Sequence, residues 1–115
     1  MRKDDFVRIR HMLDAAKEAI SFTKNKKRKD LDSDRILTLS LIKSIEIIGE
    51  AAVKVTQETI NKYSEIPWAN IVAMRNRLIH AYFDVDLDRV WDTITADLPP
   101  LINTLEKIVS SQKSS

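Results

Sequence analysis

The stretch Trp68-Ala69-Asn70-Ile71-Val72-Ala73-Met74-Arg75-Asn76-Arg77-Leu78-Ile79-His80-Ala81-Tyr82 decides the reading of this chain. Trp68, Ile71, Val72, Leu78, Ile79 and Tyr82 recur at helical spacing and form one apolar face. Arg75 sits at the centre of that face, where a cation needs a partner. Pro67 is preorganised for a first helical position, so the helix begins near it and ends between His80 and Phe83. Asp84-Val85-Asp86 then supplies a loop and a new N-cap for a helix carrying Leu87, Val90, Trp91 and Ile94.

The same periodicity extends in both directions. Phe6, Ile9, Met12, Leu13, Ala16, Ile20 and Phe22 predict a first helix from Asp4 to Phe22. The charged stretch from Lys24 to Asp32 interrupts it, and Asp32 or Ser33 can cap a second helix that continues to Ile60. Pro99 and Pro100 bend or restart the last helix, which Leu101, Ile102, Leu105 and Ile108 complete before a frayed tail over residues 110–115. With one Gly, three Pro and no strand pattern, the reading is all-α: an antiparallel four- to five-helix bundle forming a single domain over residues 1–115.

At 115 residues and 43% hydrophobic composition the chain can bury one core and not two. No cysteine and two histidines, His11 and His80, leave no thiolate or zinc motif to assemble, so the expectation is no metal site and no cofactor, with chemistry that is metal-free or borrows its metal. The opening Met1-Arg2-Lys3-Asp4-Asp5-Phe6 does not resemble a signal peptide, and every apolar segment is interrupted by charge, so the chain is expected in the cytoplasm with no membrane contact. A net charge of +2 does not by itself imply nucleic-acid binding. Lys24, Lys26, Lys27, Arg28 and Lys29 concentrate positive charge in one run, read first as a solvated loop and second as an RNA-steering patch.

The second helix carries two stripes. Leu37, Leu41, Ile45, Ile48, Ala52 and Val55 form one; Leu39, Ile42, Gly49 and Val53 form the other, nearly opposite. Two apolar faces need two partners, which predicts a twofold homodimer with Gly49 allowing close backbone approach; a helix covered on both sides by its own chain is the alternative. Glu46 lies within the second stripe and needs a cation, for which Arg75 is a candidate; the alternative is an edge-exposed Glu46, with Glu50 paired to Lys43 or Lys54.

Arginine and histidine in one short segment suit phosphate chemistry. Imidazole offers acid and base forms near neutrality, and the planar guanidinium forks onto phosphate oxygens. Metal-free cleavage of an RNA phosphodiester requires a base, an acid and a cation. One chain has a single histidine in this neighbourhood, whereas a twofold axis near the end of the third helix would assemble two His80 and two Arg75. On an ideal helix Arg75 and His80 point about 140° apart, which favours a composite site, while Asn76 and His80 share a side one turn apart, so the Asn76 amide could orient the ring.

Three blocks then carry a resemblance: Ile66-Pro67-Trp68, Met74 to Phe83, and Val85-Asp86-Leu87-Asp88-Arg89-Val90-Trp91. Together with Ile45-Glu46-Ile47-Ile48-Gly49-Glu50-Ala51-Ala52 and Asp97-Leu98-Pro99, they resemble the HepT-like branch of the HEPN domains over Asp32 to Val109. The family pattern of Arg, an adjacent polar residue, a His after four intervening residues and a Tyr two further on falls on Arg75, Asn76, His80 and Tyr82. The resemblance implies a homodimeric, metal-independent toxin ribonuclease cutting mRNA or tRNA, with Arg75 and His80 catalytic. It also implies a minimal nucleotidyltransferase antitoxin that attaches AMP to Tyr82. On a continuing helix Tyr82 follows Arg75 by seven residues, so an added phosphate would occupy the cationic subsite. HEPN bundles also resemble helical subunits that accompany nucleotidyltransferases and hold a nucleotide or substrate without cutting, and a structural dimer with a buried polar network is a third reading.

Overall fold

The computed structural model describes residues 1–80 and 85–113, with Ile79, His80 and Lys113 described as backbone only. All regular structure among the described residues is helical: α1 (Lys3–Phe22), α2 (Asp30–Ser33), α3 (Arg35–Val53), α4 (Gln57–Lys62), α5 (Trp68–His80), α6 (Leu87–Asp92) and α7 (Leu98–Lys113), the last two joined by a π-helical turn over Thr93–Asp97. The four long segments are α1, α3, α5 and the α6–α7 run, as the all-α bundle reading expects. No helix of the described residues is long and apolar enough to cross a membrane.

Central α3 packs against α1 and α5, and α1 packs in turn against α7. The core is built from Ile9, Met12 and Ala16 of α1, Leu41, Ile45 and Ile48 of α3, Leu78 of α5 and Val90, Ile94 and Leu105 of the last run, all nearly or wholly buried. Trp68 is buried as expected of a core residue, and its Nε1–H donates to the Tyr63 carbonyl at 3.0 Å.

Two polar ties fix the direction of the helices. Asp5, 1% exposed, accepts from the Thr56 N–H at 3.0 Å and from the hydroxyls of Thr56 and Thr59 at 2.5 and 2.6 Å. A carboxylate at the start of α1 thereby receives the N-terminus of α4. Burial of Asp5 pushes its pKa upward, but the hydrogen bonds from Thr56 and Thr59, with the Arg2 charge, outweigh it and hold the group below its ordinary value. At the opposite end, beyond the close of α1, Arg28 donates to Asp88 at 2.5 Å and to Asp32 at 3.1 Å, anchoring the start of α6. These two acids, Asp88 foremost, raise the Arg28 pKa. So α5 sets out from the Asp5 end and α6 from the Arg28 end, and the two run in opposite directions.

Several boundaries differ from the sequence reading. The second helix stops at Val53, not Ile60, because Asp5 captures Thr56 in an extended conformation and starts α4 there. Its cap is Asp34, which accepts from the Leu37 N–H at 3.0 Å; Asp32 and Ser33 belong to the short α2. Asp86 caps α6 as expected, accepting from the Arg89 N–H at 3.2 Å. Ahead of Pro99 and Pro100 the helix widens, and the Leu98 N–H donates to the Thr93 carbonyl five residues back. Beyond them α7 continues to Lys113, past the point where fraying was expected.

Candidate active site

Gly49 lies in the last third of α3, and a Cβ placed on it would overlap Arg75, whose Cγ would be 2.5 Å away and whose Cβ closer still. The stem of Arg75 therefore lies across bare backbone, and the glycine is what lets α5 cross α3 this closely. This corrects the dimer reading in one respect: Gly49 is covered by Arg75 of its own chain, and Ile42 is likewise buried within the chain. What α3 leaves open is a stripe on its outer side, with Ile36 81% and Val53 50% exposed and Leu39 at its edge.

The Arg75 head is only partly satisfied. Its Nη1 donates to Asn76 Oδ1 at 3.0 Å, while its Nε–H is buried with no partner among the described residues. Asn76, expected to orient an imidazole, thus commits its amide oxygen to the guanidinium. Glu46, expected against Arg75, pairs instead with Lys43 Nζ at 3.8 Å, one helical turn away on α3, its side chain 15% exposed. Among the described residues no carboxylate forms an ion pair with Arg75. A guanidinium held at its stem, steered at one nitrogen and unsatisfied at another can take an anion without first breaking a salt bridge. His80 is the last residue of α5, and Tyr82 lies outside the described residues.

Beside α5 runs a groove of about 760 Å³ between that helix and the α6–α7 run, floored by Ile45 and Ile48 of α3. Its walls carry Asn70, Ile71, Met74 and Arg77 on one side and Arg89, Asp92, Thr93 and Asp97 on the other. Arg75 is not part of it. The sequence reading missed the groove because it depends on how far α5 stands from α7, which no helical period encodes. The seat of Arg75 was legible in principle: the chain's one glycine, placed mid-helix where it costs propensity, marks a close approach. Of the basic run, Arg28 is spoken for by Asp88 and Asp32, whereas Lys24, Lys26, Lys27 and Lys29 are exposed.

Against this geometry, the family model described as "Ribonuclease HepT-like" matches residues 12–108. The chain belongs to the HepT-like ribonuclease family. A "Probable ribonuclease HepT" of Thermococcus cleftensis is 37% identical over 76% of this chain and 79% of its own length. A "Putative RNase" of Caldanaerobacter subterraneus subsp. tengcongensis is 34% identical over 91% of this chain and 94% of its own. A "Gamma-glutamylcyclotransferase and putative RNase" of Methanocaldococcus jannaschii is 37% identical over 95% of the chain, which spans 49% of that relative. No solved structure matches. As a HepT-like chain this one has, among its described residues, the all-helical architecture its sequence predicts.

Proposed function

We propose that the protein is the ribonuclease toxin of a toxin–antitoxin pair, acting as a homodimer on mRNA or tRNA without a metal. The reading rests on one observation above all: the Arg75 guanidinium is seated on Gly49, steered by Asn76 and, among the described residues, engaged by no carboxylate. A phosphodiester oxygen is an acceptor that this guanidinium can take.

In the proposed reaction His80 of one protomer takes the proton of the RNA 2′-hydroxyl, and O2′ forms a bond to phosphorus as the bond from phosphorus to O5′ breaks. The imidazolium of the second copy protonates O5′, leaving a 2′,3′-cyclic phosphate and a free 5′-hydroxyl. Arg75 holds the charge that gathers on the non-bridging oxygens, a role suited to planar N–H donors that fork onto them. The outer side of α3, with exposed Ile36 and Leu39 toward its start, Val53 at its end and Lys43 and Glu50 between, is a surface on which a second copy can pack.

Control by a minimal nucleotidyltransferase that transfers AMP to the Tyr82 hydroxyl completes the proposal, since an added phosphate competes for the cation that substrate needs. Incubation with such an enzyme from a neighbouring gene and ATP is expected to label the wild type and not Tyr82→Phe, and labelled protein is expected to lose cleavage. Equal labelling of Tyr82→Phe removes Tyr82 from the account.

A further inference from the structure

The groove beside α5 has a charge polarity that the proposed chemistry does not use. Because α5 and the α6–α7 run are antiparallel, Arg77 near the end of α5 and Arg89 near the start of α6 share one end of it, the end adjoining the last turn of α5. Asn70, Glu65 and Asp97 lie toward the opposite end, with Ile71 and Met74 between on the α5 side and Asp92 and Thr93 between on the other. None of Arg77, Arg89 and Asp97 has a side-chain hydrogen bond or ion pair among the described residues, although cations and carboxylate line the same trough. All three are exposed.

We infer that this groove is a nucleotide-reading subsite for single-stranded RNA: Arg77 and Arg89 hold a phosphate next to the one being cut, and Asp97 reads a base laid over Ile71 and Met74. The inference rests on the nuclease reading for its substrate class. The volume of about 760 Å³ accommodates a nucleotide together with its phosphate and bound water. Two guanidinium groups at one end match a phosphate, the acceptor for which their planar donors are shaped. A carboxylate at the far end can only accept, so it favours bases that present an amino group, as cytosine, adenine and guanine do, over uracil. Between the two ends the floor is apolar, and Asp92 on the α6 wall can accept only, so a base fits there better than a second phosphate.

The test uses full-length protein and short 2′-O-methyl oligonucleotides, which bind but cannot be cut. Wild type is expected to prefer oligo-C or oligo-A over oligo-U by about fivefold or more, the fold-change of one good base contact. Asp97→Asn, which gains donors, is expected to lose that preference while keeping its affinity for oligo-U. Arg77→Ala with Arg89→Ala is expected to weaken all the oligonucleotides alike and to flatten the salt dependence by roughly 0.7 log units per log unit of salt, the release expected for one single-strand phosphate contact. An unchanged base preference in Asp97→Asn together with an unchanged salt slope in the arginine variant overturns the inference. So does a shift of the monomer–dimer equilibrium by these variants with RNA binding intact, which would make the groove a subunit interface. Selective binding by a wild type that cuts no unmodified RNA would instead remove the nuclease reading and leave the subsite standing.

Discussion

Arg75 crosses the backbone of Gly49 so closely that no side chain fits between them. One glycine thus sets both the distance between α3 and α5 and the posture of the cation proposed to act on phosphate. A methyl at this position cannot push aside a flexible tip, because the atoms it meets are Cβ and Cγ, fixed to α5 itself.

Gly49→Ala is therefore expected to destabilise the fold by about 1–3 kcal/mol through overpacking, against the roughly 1 kcal/mol that alanine gains over glycine in a helix interior. Urea denaturation measures the balance. Cleavage should fall further than the loss of folded protein accounts for, since α5 and Arg75 must shift together. A variant more stable than wild type would show that the two helices do not meet at this glycine.

Asp5 links stability to pH in a defined direction. Its folded pKa is depressed below 3.8, so its contribution is complete above that value and is lost as pH falls from there through the folded pKa. Asp5→Asn should flatten this acid limb of the stability curve. Asp5→Ala, which strands the Thr56 amide and the buried Thr59 hydroxyl, should cost about 3 kcal/mol at neutral pH. Thermal melts of both variants across roughly pH 2 to 6, about two units either side of the ordinary aspartate value, check the sign. An acid limb in Asp5→Asn as steep as in wild type would exclude Asp5 as its source.

Asn76 is exposed, so Asn76→Ala should leave the melting temperature unchanged. It also frees Arg75 Nη1, and losing one hydrogen bond to a charged group predicts a fall in cleavage of roughly tenfold to a hundredfold, carried in kcat more than in KM. Wild-type kcat in this variant would show that the contact at 3.0 Å does not position the guanidinium during turnover.

What the sequence made legible follows from the range of each interaction. The Trp68–His80 helix, the Asp86 cap and the disturbance at Pro99-Pro100 are local, set by period, capping chemistry and missing N–H groups within a few residues. The break after Val53 was not legible, because no proline or glycine marks it. Its cause is Asp5, 51 residues away from Thr56. For Glu46 and Asn76 the composition narrowed the partners without deciding among them. Lys43 is one turn from Glu46 on the same helix, and this short connection prevailed over the longer one to Arg75 that the stripe suggested, while the Asn76 oxygen turned to its neighbour Arg75. The unpartnered Arg75 Nε–H could be foreseen only as a cation in want of a partner; its incomplete satisfaction is a property of the packed structure.

The most direct test of the account is cleavage of RNA by the purified protein in excess chelator, with Arg75→Ala and His80→Ala assayed at matched concentration and their oligomeric state checked by sedimentation. Cleavage by wild type, producing 2′,3′-cyclic phosphate ends, and its loss in both variants with assembly unchanged is the predicted result. Chelator-resistant cleavage that persists in both variants would contradict the assignment of this site as the catalyst.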